Sequence, residues 1–442
     1  MYKKILKVKF FKEFNNLEKY IENIAWSTVG KFFNVILSGI SGILAARFLG
    51  PTNYGLLSLS LSIFLLSSFS LNIANEQIVI KNFVQNKDKS DVFFINALFL
   101  KTISLSLSII FLISYLIFFN KETSNLLILL VIFSVIFFKP FEVINYYFQS
   151  VTKIKYIFFS ETISYFSILL IRILIIITNK NEKLFIYTYF FEIFFITLLL
   201  LINFIRLKKD KNNIDFFSLD KINLKIIKDI SKQSLPFFLS AILITIYMRI
   251  DQIFIVKFIN LTENGVYSIA VKLAELWTFI PMAIIAAIFP SIVDTKKNIE
   301  KFNKRFSQLT YLILFLSVTI SIFMVIFGKT IIKYLYGNDY ILSYNILIFY
   351  IWTLIPISLG MVISKWLTIN ELQKYQVFST FAGAIINIAF NIILIPKIGV
   401  IGAALSSLVS YFIAGVFSFL FFKDTRKFIA IFSIKNLEIL KK

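Results

Sequence analysis

Neither cysteine nor histidine occurs anywhere in the 442 residues. Without cysteine there is no disulfide, no thiol nucleophile and no thiolate-bound metal. Without histidine the commonest general base, proton relay and zinc ligand are gone as well, so proton chemistry falls to Asp, Glu, Lys or Tyr. Acidic side chains are few, 24 against 46 Lys and Arg, and only six of those 46 are arginine. An arginine inside an apolar run therefore carries more information than a lysine does. No hydrophilic insertion is long enough to fold into a soluble catalytic domain; neither enzymatic activity nor a bound metal or other cofactor is expected.

What is present is apolar. Hydrophobic residues make up 58% of the chain, 53 residues are phenylalanine, and the mean hydropathy is +0.82. Runs near twenty apolar residues recur from end to end, each able to cross a hydrocarbon layer of ~30 Å. One such run could be a signal peptide, but a dozen cannot, and a transmembrane β-barrel would show short alternating segments instead. The reading is an all-α polytopic membrane protein. Its twelve spans fall near 24–46, 56–78, 92–119, 125–148, 157–178, 184–205, 235–256, 266–288, 308–327, 341–363, 377–395 and 401–422. The expected organisation is an interfacial segment at 1–23, a six-helix bundle at 24–205, a basic linker at 206–234, a second six-helix bundle at 235–422 and a tail at 423–442.

Charge tests this plan. With the N-terminus in the cytoplasm, 32 Lys and Arg fall on the cytoplasmic side, 8 on the other, and six inside spans. Such a bias, repeated over many short loops, places both termini inside. It also accounts for the formal charge of +22 without nucleic acid. The opening "MYKKILKVKFFKEFNN" mixes basic and apolar residues and reads as an interfacial anchor on membrane lipids; the closing "NLEILKK" reads the same way.

The intramembrane charges include Lys31, Lys101, Lys139, Arg172, Arg249 and Lys272, with Glu142, Glu161, Glu192, Asp251 and Glu275. Each would cost at least ~2.5–3.5 kcal/mol at the centre of a lipid-facing helix, so most must face the bundle interior, a wet cavity or a partner. Lys139 and Glu142, and Lys272 and Glu275, are three apart and can pair on one helical face. Glu161 and Arg172 share a face nearly three turns apart, as a polar stripe along a lumen would; Glu192 is a candidate partner for Arg172. Lys31 and Lys101 have no acidic neighbour one turn away. For Lys31, snorkelling and a cavity position both stand; Lys101 is expected in a cavity. In "YMRIDQIFIVKF", Arg249 and Asp251 are two residues apart and so point about 200° away from each other. They are expected to serve different neighbours, the deeper arginine fitting an anion and Asp251 either holding helices or carrying a coupling cation. Pro281 and Pro356 lie inside spans, where they are expected to kink the helix, and Tyr247 and Trp352 are candidates for stacking on a sugar ring.

A weak repeat links the two halves. "ARFLGPTNYGLLSLS" (Ala46–Ser60) follows the first span and "VKFINLTENGVYSIA" (Val256–Ala270) follows the seventh. Gly55 and Gly265 are expected to relieve turns ahead of the next helix.

These two segments, the stretch "YMRIDQIFIVKF" with "NGVYSIAVKLAEL", the pair Phe289–Pro290, and "NIILIPKIGVIGAALSSLVS" (Asn391–Ser410) occur in this order along the chain. Together they resemble the bacterial polysaccharide-repeat-unit flippases, the polysaccharide biosynthesis transporter branch of the multidrug/oligosaccharidyl-lipid/polysaccharide exporter superfamily. The resemblance implies a V-shaped, alternating-access pair of six-helix bundles in the bacterial inner membrane. It implies export of undecaprenyl-diphosphate-linked oligosaccharide from the cytoplasmic to the periplasmic leaflet, for O-antigen, capsule or a related glycan. It further implies a cationic cavity, coupling to a Na+ or H+ gradient, and hand-over to polysaccharide polymerase machinery. On that resemblance Arg249 and Asp251 match the family's charged stretch in the seventh helix. From their residues alone, Lys31, Lys101, Arg172 and Lys272 are cavity candidates for substrate, and Glu142, Glu161, Glu192 and Glu275 are coupling or structural charges. A lipid II flippase and a multidrug or cation antiporter share the architecture and stand as alternatives, with a membrane glycan polymerase as a more distant one.

Overall fold

The computed structural model describes residues 17–119, 134–178, 181–209, 218–296, 298–426 and 428. The expected N-terminal anchor through residue 16, the closing "NLEILKK", the connector at 120–124, residues 125–133 of the span at 125–148, and part of the linker (210–217) lie outside the described residues. Among the described residues the chain is helical, with no strand. The helices are α1 (Leu17–Ser67), α2 (Glu76–Gln85), α3 (Ser90–Phe119), α4 (Val143–Ser150), α5 (Ile154–Ile177), α6 (Glu182–Lys209), α7 (Leu224–Phe258) and α8 (Leu261–Leu276). They continue as α9 (Phe279–Val293), α10 (Ile299–Tyr336), α11 (Ser343–Tyr350), α12 (Leu354–Ile369), α13 (Lys374–Ile398) and α14 (Val400–Gly415).

Ten helical stretches among the described residues are long and apolar enough to cross a membrane. Twelve were expected, and both differences have a local cause. Gly30–Gln85 runs two expected spans together, and the span at 125–148 is described only from residue 134. Helix starts follow the usual side-chain capping, in which a short polar side chain accepts from a backbone N–H left over in the first turn. Asn75 accepts from Gln77 N at 3.0 Å, Asn260 from Glu263 N at 2.8 Å and Asn298 from Lys301 N at 3.0 Å.

Inside α1 the helix breaks at Gly50, whose φ of 67° and ψ of 173° no helix tolerates. Glycine pays no Cβ penalty there, and Pro51, with its fixed φ and missing N–H, suits the first position of the helix that resumes. Pro281 and Pro356 do not kink a helix as expected. Each falls in the first turn of its helix, α9 or α12, where the backbone N–H that proline lacks has no intrahelical acceptor anyway. The apolar spans that contain them are broken just upstream, after Leu276 and at the 3₁₀ turn Ile351–Thr353.

By packing, the chain forms two compact units. One comprises the chain up to Phe48 with Ser67–Phe238, the other Leu49–Leu66 with Leu239–Lys442. The sequence division at 206–234 differs from this in two places. The C-terminal part of α1 packs with the second unit, and the change along α7 falls beyond Pro236, inside the helix.

The first unit is built on aromatic residues of α3, α4 and α6. Phe94 stacks on Phe204 at 4.9 Å, and Tyr147 meets Phe204 edge-on at 5.3 Å. At one end, Asn96 donates to Lys221 O at 2.9 Å and accepts from Asn223 N at 2.7 Å, while Lys221 pairs with Asp91. The second unit has its own core, with Phe306, Ile313, Val362, Trp366 and Leu367 of α10 and α12. Its α13–α14 hairpin is joined by small and amide residues: Asn387 donates to Ser410 Oγ at 3.2 Å and Asn391 to Asn387 Oδ1 at 3.0 Å. Interfaces of this kind suit a bilayer, where lipid is as apolar as leucine and helices associate through close approach and hydrogen bonds. The large exposed side chains are correspondingly apolar, among them Ile110, Leu174, Phe315 and Ile326.

The two copies of the sequence repeat meet within the second unit. A Cβ on Gly55 would stand 1.9 Å from Leu261 O, and one on Gly265 would stand 2.0 Å from Pro51 O. The hydroxyls of Thr52 and Thr262 are 2.8 Å apart, and Asn264 donates to Gly55 O at 2.7 Å. Gly55 and Gly265 therefore serve a helix–helix crossing, not the turns expected of them; the positive φ belongs to Gly50.

Candidate functional site

The charges inside the spans gather in separate clusters. In the second unit, Arg249 and Asp251 part as helical phase requires. Arg249 Nη2 donates to Glu275 Oε2 of α8 at 3.1 Å, with the two side chains 20% and 25% exposed. Asp251 points into the unit and is 1% exposed; its Oδ2 accepts from the Tyr267 hydroxyl and, at 3.0 Å, from Ser407 Oγ of α14. The next residue, Gln252, accepts from Ser58 at 2.9 Å and Ser62 at 2.8 Å, so successive positions of α7 bind three different helices. Lys272, on the same helix as Glu275, is half-buried.

Glu275 also lines a cavity of about 580 Å³. Its walls come from α7 (Tyr247, Met248), α12 (Pro356, Ile357, Gly360, Met361, Lys365), α13 (Gln376, Thr380) and α14 (Tyr411). Tyr247 and Tyr411 meet edge to face at 5.2 Å. Tyr247, singled out as a stacking residue, is on this wall; Trp352 is half-buried in the 3₁₀ turn Ile351–Thr353.

In the first unit Arg172 is 2% exposed and bonded to Glu192 at 2.9 Å. Its Nε donates to Thr188 Oγ1 at 2.7 Å, Nη1 donates to Ser41 Oγ, and the guanidinium lies 4.1 Å from the Tyr189 ring centre. Glu161, eleven residues earlier, accepts from Asn34 at 2.7 Å. Asn34 and Ser41 are two turns apart on α1, so the polar stripe of α5 is hydrogen-bonded along α1. Lys31, one turn before Asn34, is exposed.

Lys101, expected in a cavity, has no acid a turn away. The fold supplies one from 41 residues downstream: Lys101 donates to Glu142 at 3.2 Å and to the Tyr146 hydroxyl at 2.8 Å, and is itself 2% exposed. Lys139 also pairs with Glu142, at 2.5 Å. The three charges together sum to one positive.

Sequence comparison decides the family. A model of the family described as "polysaccharide biosynthesis protein" matches residues 20–296, more than half of the chain. The chain belongs to the polysaccharide biosynthesis protein family. A second family model, MatE, matches residues 236–393, and no curated protein matches the chain in sequence.

Solved structures extend the likeness to the whole fold. An inward-facing multidrug resistance MATE family transporter of the MOP superfamily is similar with a TM-score of 0.73, at 14% identity over 90% of this chain and 95% of that one. The lipid II flippase MurJ in an inward closed conformation gives 0.68 at 17% identity, over 94% and 91%. A MOP superfamily transporter from Pyrococcus furiosus gives 0.64 at 14%, over 93% and 96%. Identities this low carry the fold alone. The fold is similar to that of these helical MOP superfamily proteins, and with ten helical stretches among the described residues long and apolar enough to cross a membrane the chain is a multi-pass membrane protein.

Sequence reasoning missed several side chains of these clusters. Tyr146 lies four residues after Glu142 and so shares its face, a signal open to inspection. Thr188, four residues before Glu192 on the same helix, carries the same signal; Tyr267, Ser407, Gln376 and Tyr411 do not, since each reaches its cluster from another helix.

Proposed function

We propose that this protein is a flippase that carries undecaprenyl-diphosphate-linked oligosaccharide repeat units across the bacterial inner membrane. The direction is from the cytoplasmic to the periplasmic leaflet, for O-antigen, capsule or a related surface glycan, with both termini in the cytoplasm and a polysaccharide polymerase as recipient. The observation that carries this reading is the polysaccharide biosynthesis family match over residues 20–296 on a transporter fold shared with a lipid II flippase.

The clusters support a division of labour. Arg172 and Lys101 are buried in ion pairs, and removing one member of such a pair leaves the other charge uncompensated, so both hold the first unit together. Arg249 is more accessible, and its bond to Glu275 occupies one donor of a five-donor fork, the geometry that fits a diphosphate. Arg249 is therefore the substrate contact, with Lys31 and Lys272 as auxiliary cations. Asp251, buried beside Tyr267 and Ser407, is the group assigned to Na+ or H+ coupling.

Deletion of the gene in the source bacterium tests the reading. Lipid-linked oligosaccharide accumulating on the cytoplasmic leaflet, with loss of surface glycan, is expected; unchanged glycan without accumulation, in a strain lacking redundant flippases, overturns it. The MatE match over 236–393 favours one second reading, export of organic cations. Ethidium efflux from proteoliposomes without lipid-linked sugar transport would select it.

A further inference from the structure

The cavity of the second unit has an unusual wall. Three of its polar atoms, Glu275 Oε1, Gln376 Oε1 and the Tyr411 hydroxyl, are buried and make no hydrogen bond. Buried polar groups in native proteins are nearly always bonded, and leaving one unmade costs about 1–3 kcal/mol. Three such atoms, on residues that line one cavity, suit a ligand that donates hydrogen bonds once small side-chain rotations turn them toward it. Two of them, the carboxylate and amide oxygens, can only accept, and the phenol can do either.

Charge narrows the class. Glu275 shares its other oxygen with Arg249, and Lys365 lines the same cavity, so the wall is not an acidic trap for a bare cation. Shape narrows it further. Met248, Pro356, Ile357 and Met361 make apolar surface, and Tyr247 and Tyr411 stand at right angles. A ring with hydroxyl donors on its rim and C–H groups on its face matches both halves of this lining. The volume of about 580 Å³ lies within the ~300–1,000 Å³ of ordinary small-molecule pockets.

We propose that the cavity between α7, α12, α13 and α14 is a sugar subsite that binds a neutral or N-acetylated pyranose ring, with Glu275, Gln376 and Tyr411 accepting or sharing its hydroxyl and amide hydrogens. That this ring belongs to the lipid-linked cargo rests on the flippase reading. The subsite then reads the carbohydrate while Arg249, joined to the same wall through Glu275, reads the diphosphate, so cargo identity and cargo charge are sensed by adjoining side chains.

The test uses the full chain in nanodiscs of phosphatidylethanolamine and phosphatidylglycerol, exchanged out of any glycoside detergent, whose headgroup would compete. Saturation-transfer NMR is recorded with free chitobiose, lactose and N-acetylgalactosamine as probes. At least one probe is expected to show transfer, reduced fivefold or more by Tyr411→Phe and by Gln376→Leu. The two variants change different helices and neither alters a charge, so either one with native-like melting suffices. No transfer from any probe, transfer unchanged in a folded variant, or Tyr411-dependent binding of tetraphenylphosphonium in place of sugar overturns the subsite. A parallel translocation assay with lipid-linked oligosaccharide separates the two readings. Sugar binding without translocation leaves the subsite standing and removes the flippase reading, whereas translocation without sugar binding does the reverse.

Discussion

Replacing Gly55 by alanine adds one methyl group at the tightest helix crossing described. That methyl would stand 1.9 Å from Leu261 O, roughly 1.5 Å inside ordinary van der Waals distance. Its neighbour is backbone and cannot rotate away, so the two helices must separate. Overpacking of this kind costs about 1–3 kcal/mol, and the bond from Asn264 to Gly55 O, worth about 0.5–1.5 kcal/mol, lengthens with it. A sum of about 2–4 kcal/mol lowers the equilibrium constant for the packed crossing by about thirty-fold to about a thousand-fold. The absence of native cysteine makes the readout direct, because Thr52→Cys with Thr262→Cys introduces the only two thiols. Their hydroxyl oxygens are 2.8 Å apart, so mild oxidation in membranes should join them nearly completely. With Gly55→Ala added, the rate of cross-linking should fall at least tenfold. Gly39→Ala, where nothing lies within 4 Å, should leave it unchanged. Equal cross-linking in the Gly55→Ala chain, at normal expression, would refute the argument from close approach.

The other expectations concern the charge clusters. Arg249→Ala should reduce translocation at least tenfold while Arg249→Lys keeps a measurable part, since lysine preserves the charge but not the fork; full transport in the alanine variant removes Arg249 from the site. Glu142→Gln leaves Lys101 and Lys139 without their shared carboxylate and should destabilise the first unit by about 2–4 kcal/mol, read as a lowered melting temperature in detergent. Lys139→Met in the same chain should recover part of that loss, and a melting temperature unmoved by Glu142→Gln would disprove the account. Asp251→Asn should fold normally yet lose the dependence of transport on an imposed Na+ or H+ gradient; a variant that responds to the gradients like the parent excludes Asp251 as the coupling group.

Much of the fold was legible because the bilayer imposes a simple code. Apolar runs of the right length mark spans. Helical phase was equally legible, so the separation of Arg249 from Asp251 and the pairing of Lys139 with Glu142 followed from spacing. Partners from other helices were not. Lys101 showed no acid a turn away, and only tertiary packing brings Glu142 to it. The repeat containing Gly55 and Gly265 was visible, but its meaning was not, since a turn and a close crossing ask for the same residue. The prolines misled for a related reason: hydropathy runs straight through the breaks before Pro281 and Pro356, and only the backbone shows that each begins a helix.

The crossing of the two repeats also sets a timetable for synthesis. The segment Leu49–Leu66 belongs with a unit whose remainder begins at Leu239, and Gly55 meets a helix that starts at Leu261. At roughly 5–20 residues per second, translation needs on the order of 10–40 s to deliver that partner. Throughout the interval the nascent chain holds an inserted helix whose glycine and serine face has nothing native to pack on.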